Sequence, residues 1–208
     1  MIKLCVFDFD STLMDGETID IFAGAYGVGD EVKLITHKAM NGEFDFFESL
    51  TKRVSLLKGM PYEKVLELGQ NLPLMNGANE LLAYLTSKNI LSLVLSGGFH
   101  EGIDPAMKKL NFNLGFANYL HHKDGFLTGL VGGEMMFSNS KGLMIRAMKN
   151  FLKLNSSEVA CVGDGANDLA MFEECGLKIA FCAKAILKEK ADICVDNKDL
   201  KELIRLIK

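Results

Sequence analysis

Short apolar runs alternate with amphipathic stretches over most of the chain. Five of the runs have the length and the β-branched or aromatic content of buried strands, and they span residues 2–7, 90–95, 158–162, 178–181 and 192–195. Apolar residues at helical spacing follow most of these runs, over residues 77–88, 141–153, 167–175 and 199–207. This alternation predicts an α/β fold with a doubly wound, Rossmann-like parallel sheet and helices on both of its faces.

Two stretches interrupt the alternation. Residues 16–72 contain four successive helical patterns and no strand pattern, which favours an inserted helical cap over 16–72. The core domain would then be formed by residues 1–15 and 73–208. A second interruption lies at 116–132, where Asp124-Gly125 stands between two apolar runs and predicts a small β-hairpin.

Acidic side chains follow two of the predicted strands. Asp8 and Asp10 come directly after the first strand, and Asp164 and Asp168 follow the strand at 158–162. Ligands of open α/β sheets bind outside the carboxyl ends of the strands, and carboxylate oxygens are the ligands that Mg²⁺ prefers. Each pair taken alone is also compatible with ordinary loop acids or with helix caps.

Groups suited to binding a phosphate occur at other ends of the same elements. Ser96 and Gly97 follow the second strand and offer a hydroxyl and flexible backbone amides, Asn167 lies at a helix N-terminus, and Lys141 begins another helix. Each is weak alone, because Ser-Gly-Gly is also a plain turn and a single lysine is usually solvated. Together with the carboxylates they provide what phosphoryl transfer to a carboxylate requires.

These segments resemble the motifs of the haloacid dehalogenase superfamily of aspartate-nucleophile phosphotransferases. The sequence DFDST at 8–12 is similar to the first motif, Ser96 and Lys141 to the second and third, and GDGAND at 163–168 to the fourth. The resemblance covers essentially the whole chain and extends to members that act on phosphoserine. It implies hydrolysis of O-phospho-L-serine to L-serine and phosphate, the last step of serine biosynthesis, through an aspartyl-phosphate.

The resemblance also implies the catalytic roles. Asp8 would be the nucleophile, and Asp10 would protonate the leaving serine oxygen and then activate water as a base. Mg²⁺ would be held by Asp8, the backbone carbonyl of Asp10, and Asp164. Asp168 would orient a metal-bound water from the second layer of contacts.

Substrate binding is implied for a further set of residues. The phosphoryl oxygens would be held by Ser96, Gly97, Lys141 and Asn167. In the cap, Glu17 is a suitable partner for the substrate ammonium and Arg53 for its carboxylate, while Met40 and Phe46 would close over the substrate. Without the resemblance, structural roles are favoured for all four cap residues. Glu17 would stabilise the helix dipole, Arg53 would lie on the surface, and Met40 and Phe46 would pack inside the cap.

Composition and charge exclude other classes of protein. The chain has 208 residues and a net charge of −4, whereas a nucleic-acid binder normally carries a basic excess. Its apolar runs are shorter than the roughly 20 residues of a membrane helix, and we find no signal peptide. The five cysteines form no CxxC pair, so we interpret most of them as buried thiols in a reducing compartment. We therefore expect a cytoplasmic protein with a small-molecule substrate and no obligate protein partner.

Three alternatives remain open at this point. Another phosphatase or phosphotransferase of the same superfamily, for example one that transfers phosphate to homoserine, would share every core motif. A receiver-like signalling module also accepts phosphate on an aspartate, although such modules are shorter and lack a helical insert. A catalytically silent binding protein is disfavoured because every reactive position of the motifs is filled.

Overall fold

The computed structural model describes residues 1–40 and 43–207, without the side chain of Met40. Within these residues, seven strands form one sheet in the order β4-β3-β2-β1-β5-β6-β7. The strands span Leu4–Phe7 (β1), Leu91–Phe99 (β2), Leu114–Lys123 (β3), Phe126–Gly133 (β4), Val159–Gly163 (β5), Leu177–Phe181 (β6) and Ile193–Val195 (β7). Strands β3 and β4 pair antiparallel, and the other pairs are parallel. The predicted doubly wound sheet is confirmed.

The described helices fill the intervals between the strands. They span Thr18–Tyr26 (α1), Gly29–Met40 (α2), Phe46–Ser55 (α3), Tyr62–Gln70 (α4), Ala78–Ser87 (α5), His100–Leu110 (α6), Ser140–Leu152 (α7), Leu169–Phe172 (α8) and Ala185–Lys188 (α9). Five of them lie between β1 and β2, and four of these five, α1 to α4, fall within the predicted insert at 16–72. None of the helices in 1–40 and 43–207 has the length and apolar character to cross a membrane.

The central strand β1 is buried on both faces, which explains its uninterrupted apolar sequence. Cys5 and Phe7 point into a cluster that includes residues of α5 and α6, whereas Leu4 and Val6 point into a cluster that includes residues of α7 and α8. Alternate side chains of a strand face opposite sides of the sheet. The two apolar layers hold β1 and its neighbours in a fixed position. The residues that directly follow these strands are therefore also fixed relative to the sheet.

Three helical segments differ from the sequence-based expectation. Helix α6 is not predicted, because Gly102 and Pro105 interrupt its stripe of apolar residues. The predicted helix at 167–175 is a 3₁₀ turn over Ala166–Asp168 followed by the single turn of α8. The C-terminal helix predicted at 199–207 is a 3₁₀ helix over Leu200–Arg205.

The β-hairpin joins the sheet to the helices α1 to α4, which make up the predicted cap and are called the cap below. Its turn residues Asp124 and Gly125 have φ values of 52° and 83°, the left-handed conformation that tight hairpin turns require. One end of the hairpin extends the sheet, where β3 pairs with β2. Near its tip, the hairpin bonds to the chain between α3 and α4, with Leu127 receiving the Gly59 N–H at 2.8 Å and donating to the Met60 carbonyl at 2.8 Å.

The cysteines agree only partly with the expectation of buried thiols. Cys5 is a buried free thiol. Cys161 on β5 and Cys175 after α8 are joined as a disulfide, with their Cα atoms 6.1 Å apart, because both face the same apolar cluster between the sheet and α8. Cys182 and Cys194 are exposed. Burial is therefore as expected for Cys5, Cys161 and Cys175 and wrong for Cys182 and Cys194. The expected free thiol is contradicted at Cys161 and Cys175.

Candidate active site

A cavity of about 660 Å³ lies where the carboxyl ends of β1, β2 and β5 meet the cap. The predicted site residues that line it are Asp8, Asp10, Glu17, Phe46, Arg53, Gly97, Asp164 and Asn167. Ser96, Lys141 and Asp168 are buried and bond to these residues directly or through a neighbouring amide. The side chain of Met40 lies outside the described part of the chain. The structure therefore brings together all the other predicted site residues.

Asp8 is held at both carboxylate oxygens. Its Oδ1 accepts the Phe9 N–H at 2.7 Å and faces Lys141 Nζ at 2.8 Å, and its Oδ2 accepts Asn167 Nδ2–H at 3.0 Å. Burial raises its pKa well above the ordinary value, the charge of Asp168 raises it further, and Lys141 counteracts both. Because its contacts fix the carboxylate, Asp8 can present one oxygen to a group in the cavity.

Lys141 and Asp168 form a buried ion pair beneath Asp8. The ammonium lies 2.6 Å from Asp168 Oδ1, and Asp168 Oδ2 accepts the N–H groups of Asp164 and Gly165 at 2.9 and 3.1 Å. Burial alone would lower the pKa of Lys141, but the charges of Asp168 and Asp8 raise it above the ordinary lysine value. The lysine is therefore held in its charged form, and both oxygens of Asp168 are already bonded.

Three buried carboxylates meet at this point. One oxygen each from Asp8, Asp164 and Asp168 lies within 4.8 Å of the others. Burial, followed by the charge of Asp168, raises the pKa of Asp164 to about 6. Lys141 supplies one positive charge against three carboxylates, so a further cation would relieve their repulsion. Hard oxygen donors at this spacing fit a divalent cation such as Mg²⁺.

Asp10 extends from the loop after β1 toward the first residue of the cap helix α1. Its Oδ1 accepts the N–H of Thr18 at 2.8 Å and the Thr18 hydroxyl at 2.5 Å, and its Oδ2 lies 3.4 Å from the Ser96 hydroxyl. Burial raises the pKa of Asp10, and the bonds from Thr18 lower it in part. The carboxyl is thus fixed through Oδ1, and Oδ2 is the oxygen that can exchange a proton.

The Ser-Gly-Gly segment lies in an irregular part of β2 instead of following the strand. The register of β2 against β3 shifts between Leu95 and Phe99, as in a bulge. A Cβ at Gly97 would lie 2.8 Å from the Phe46 ring, and a Cβ at Gly98 would lie 2.6 Å from Asp10 Oδ2. Both glycines are therefore required by close approach, and the predicted strand end at residue 95 is wrong by four residues.

Two groups of opposite charge face the cavity from the cap. Glu17 accepts the Ser11 hydroxyl at 2.8 Å, and burial together with the charge of Asp10 raises its pKa to about 7. Arg53 donates from Nε to the Ser49 carbonyl at 3.3 Å, and burial lowers its pKa although Glu17 partly restores it. Glu17 precedes α1 but makes no capping hydrogen bond with its side chain, so a capping role does not explain it.

Further residues at the site are absent from the sequence-based set. Lys184 follows β6, lines the cavity and donates its N–H to the Asp164 carbonyl at 2.8 Å. The strand-end rule could have found it, because β6 lies next to β5. Thr18 has no such signal, since it reaches Asp10 only through the way that α1 leaves the core.

A family model described as a haloacid dehalogenase-like hydrolase matches residues 2–176. The chain belongs to this family. The phosphoserine phosphatase of Campylobacter jejuni subsp. doylei is 72% identical over 207 residues and is matched over 100% of both chains. That of Methanocaldococcus jannaschii is 48% identical over 206 residues, which are 99% of this chain and 98% of that protein. These proteins are relatives of this haloacid dehalogenase-like hydrolase over its whole length.

Solved structures also resemble this haloacid dehalogenase-like hydrolase. A substrate-bound phosphoserine phosphatase complex superposes with a TM-score of 0.94 at 47% identity, over 100% of this chain and 99% of that one. A phospho-aspartyl intermediate analogue of phosphoserine phosphatase gives the same values. The expected family and fold are therefore confirmed.

Proposed function

We propose that this haloacid dehalogenase-like hydrolase converts O-phospho-L-serine to L-serine and phosphate through an aspartyl-phosphate at Asp8. The observation that carries the proposal is the placement of two opposite charges, Glu17 and Arg53, on the cap side of a cavity whose core side holds Asp8 and Asp10. A zwitterionic amino acid with a phosphate on its side chain matches this distribution. The relatives at 72% and 48% identity that bear the name phosphoserine phosphatase support it.

In the first step, an oxygen of Asp8 attacks phosphorus and the bond from phosphorus to the serine oxygen breaks. Asp10 is suited to donate its proton to that serine oxygen, because burial favours the protonated carboxyl and its Oδ2 faces the cavity. Lys141 lies 2.8 Å from Asp8 and offsets the negative charge that accumulates there. The products are L-serine and a phosphorylated Asp8.

In the second step, a water attacks the phosphorus of the aspartyl-phosphate. Asp10, now ionised, takes the proton of that water, and the bond between phosphorus and the Asp8 oxygen breaks. The two hydrogen bonds from Thr18 stabilise the ionised Asp10 that this step needs. Phosphate leaves, and both carboxyl groups return to their initial states.

We propose Mg²⁺ as the cofactor, since the buried oxygen cluster suits a hard divalent cation. Asp8, Asp164 and the backbone carbonyl of Asp10 would hold it, and Asp168 would orient a water bound to it. Asp168 suits this indirect role because both of its oxygens already accept hydrogen bonds. When bound, the cation neutralises charge on the phosphoryl group and on the attacking carboxylate.

Substrate contacts follow from the same placement. Glu17 would bind the ammonium group and Arg53 the carboxylate, and Phe46 packs over Gly97 at the phosphoryl end of the cavity. The phosphoryl oxygens would be held by Ser96, Gly97, Lys141 and Asn167. The closing role of Met40, the division into a core and a cap at 16–72, and closure of the cap over the site stay predictions.

The biological setting is likewise predicted from the sequence. A role in serine biosynthesis and a cytoplasmic location stay predictions, as does the independence from nucleic acid, membranes and an obligate protein partner.

Removing the Arg53 guanidinium tests the substrate assignment. Phosphate release is measured from L-phosphoserine, phosphothreonine, phosphoethanolamine and sugar phosphates, with Mg²⁺ and with EDTA. We expect metal-dependent turnover that is highest on L-phosphoserine. A buried charge-assisted contact is worth about 2–5 kcal/mol, so Arg53→Ala should reduce kcat/KM for phosphoserine by about 30-fold to several thousand-fold. Phosphoethanolamine lacks a carboxylate and should be affected far less.

The matched control is Arg146→Ala, which removes an exposed arginine that pairs with Glu174 on the outside of the core. It should leave both substrates unaffected. An equal loss on phosphoserine and phosphoethanolamine in Arg53→Ala would contradict the proposed role of Arg53. Formation of phosphohomoserine on addition of homoserine would instead indicate a phosphotransferase, and a stable phosphorylated Asp8 without phosphate release would indicate a receiver-like module.

A further inference from the structure

Asn118 is a fully buried polar residue on β3. It bonds to the backbone of the irregular segment of β2 and to the backbone of the chain between β4 and α7. Its exposed fraction is 0%. Its side-chain amide donates from Nδ2 to the Gly97 carbonyl at 3.1 Å and to the Met135 carbonyl at 3.2 Å, and its Oδ1 accepts the Met135 N–H at 3.0 Å. All the hydrogen-bonding groups of this side chain are directed at backbone, and none reaches the cavity.

The first of these contacts fixes the peptide between Gly97 and Gly98. Its carbonyl end is held by Asn118, and its N–H end donates to Ser96 Oγ at 2.9 Å. This peptide lies in the bulge of β2, where no regular partner on β3 holds it, and Asn118 stands opposite Phe99 at the end of that bulge. Glycine backbone is the least constrained of all, so the side-chain contact defines its orientation.

The orientation of the peptide in turn determines the direction in which the Ser96 hydroxyl proton points. Because Ser96 Oγ accepts the Gly98 N–H, its own proton must point elsewhere, toward Asp10 Oδ2 at 3.4 Å or toward a ligand between them. The hydroxyl is therefore prepared as a donor to a phosphoryl oxygen. Rotation of the Gly97–Gly98 peptide would break the hydrogen bond from the Gly98 N–H to Ser96 Oγ, and the hydroxyl would then no longer have a fixed orientation.

The second contact fixes the chain that leads from β4 to α7. Asn118 bonds to both the N–H and the carbonyl of Met135. Three residues later Ser138 lines the cavity, and Lys141 follows in the first turn of α7. The backbone packs closely here, since a Cβ at Gly133 would lie 2.6 Å from the Asn118 Cα atom. One amide group thus sets the spacing between the irregular segment of β2 that contains Ser96 and the chain that precedes Lys141.

We propose that Asn118 is a positioning residue for the phosphoryl group, which it serves by holding the Gly97–Gly98 peptide and the loop before Lys141 in register. The inference rests on the proposed function for the identity of the substrate, but it concerns the binding of phosphate itself. Asn118 contacts no reacting atom, and its effect passes through the backbone.

The chain offers a matched control at the opposite end of the same strands. Asn113 Oδ1 accepts the Ser92 N–H at 2.8 Å and the Ser92 hydroxyl at 3.1 Å, and so also ties β2 to the segment of β3. It does not line the active-site cavity. A general contribution of such asparagines to the sheet would appear at both positions, whereas positioning of the phosphoryl group would appear only at Asn118.

The decisive variant is Asn118→Asp, compared with Asn113→Ala, which removes both contacts that Asn113 Oδ1 makes with Ser92. Aspartate is nearly the same size and keeps the acceptor for the Met135 N–H, but it replaces the donor to two carbonyl groups by an oxygen. Inorganic phosphate is the probe, and its dissociation constant is measured by calorimetry in the presence of Mg²⁺. KM and kcat for phosphoserine and the Mg²⁺ activation constant are measured alongside it.

We expect Asn118→Asp to weaken phosphate binding at least tenfold and to raise KM for phosphoserine. The Mg²⁺ activation constant should change less than threefold, because Asn118 contacts none of the carboxylates of the cluster. Asn113→Ala should leave all of these values within twofold. Unchanged phosphate binding in Asn118→Asp would overturn the proposal, and so would an equal weakening of phosphate and Mg²⁺, which would indicate general damage.

A measurement on the unmodified protein decides the matter if Asn118→Asp does not fold. The side-chain amide signals of Asn118 and Asn113 are followed by NMR during titration with phosphate and Mg²⁺. The Asn118 signals should shift and those of Asn113 should stay in place, whereas an unmoved Asn118 signal would overturn the proposal. If the protein proves inactive on phosphoserine, the proposed function fails, but phosphate binding still tests the role of Asn118.

Discussion

Glu17 is a carboxyl group whose surroundings oppose its ionisation until a positively charged ligand arrives. Its pKa is raised to about 7 by burial and by Asp10. Within the described part of the chain Glu17 forms no ion pair with Arg53, although the two charges influence each other. A substrate ammonium would supply the missing charge. The residue is therefore adapted to binding at the expense of the stability of the unliganded protein.

The stability effect of Glu17 depends on pH in a defined direction. Between the ordinary glutamate value of 4.5 and the folded value of about 7, the folded state retains a proton that the unfolded state has lost. Stability therefore falls as pH rises through this window. Glu17→Gln should stabilise the metal-free protein by about 1–3 kcal/mol at pH 8 and by nothing at pH 4, while it weakens phosphoserine binding.

Urea denaturation of the two proteins at both pH values checks this prediction. Glu189→Gln, at an exposed position directly after α9, serves as the control for the loss of a surface carboxyl group. A Glu17→Gln protein that is less stable than the parent at pH 8 would show that the carboxylate is favourably paired in the free protein.

At the scale of elements, the contact between α4 of the cap and α6 of the core is unusually close. A Cβ at Gly69 would lie 1.9 Å from the Glu101 carbonyl oxygen and 2.8 Å from its carbon. Alanine could fit only if the two helices moved apart. Near this contact the Tyr62 hydroxyl bonds to Glu101 at 3.3 Å, so α4 is attached to the core by packing and by a hydrogen bond.

Gly69→Ala should therefore destabilise the protein by about 1–3 kcal/mol, although alanine is the better helix former. Gly24→Ala is the matched control, because Gly24 lies on an exposed part of α1 where a Cβ would have no neighbouring atom within 4 Å. There alanine should stabilise by about 0.5–1 kcal/mol. Thermal melting measures both, and stabilisation by Gly69→Ala would show that the helices separate without loss.

The elements that the sequence predicts are those with one dominant signal. The sequence predicts β1 from its run of apolar residues, all of which are buried in the structure. Asp8 and Asp164 lie close together, as expected, because β1 pairs with β5 and Phe7 stands opposite Val162. Helix α6 is not predicted, because a glycine and a proline interrupt its pattern of apolar residues. Asn118 and Thr18 escape for another reason: their partners are distant in sequence or set by the path of the backbone, and neither residue type at its position is informative alone.

At the scale of the whole molecule, the carboxylate cluster would couple folding to the proposed cation. Asp8, Asp164 and Asp168 converge only in the folded chain, so Mg²⁺ held there would bind the folded state in preference to the unfolded state. At a hundred times its dissociation constant, such a ligand stabilises by about 2.7 kcal/mol. For a chain of this size, we expect Mg²⁺ to raise the melting temperature by about 5–10 °C relative to EDTA.

Calorimetric melting with Mg²⁺ and with EDTA checks this expectation. Asp164→Asn should abolish most of the difference, whereas Asp30→Asn, at an exposed position in the first turn of α2, should preserve it. Equal melting temperatures with and without Mg²⁺ would show that the cluster does not hold the cation.

The hairpin β3–β4 belongs to the sheet at one end and to the cap at the other. We therefore expect a graft of residues 16–72 alone to disturb this junction, because the chain around Gly59 and Met60 would pack against the side chains of a foreign hairpin. The transplantable unit comprises the cap together with residues 114–133. Since Asn118 lies within that unit, a graft of the whole unit also carries the residue that we propose to hold the Gly97–Gly98 peptide in position.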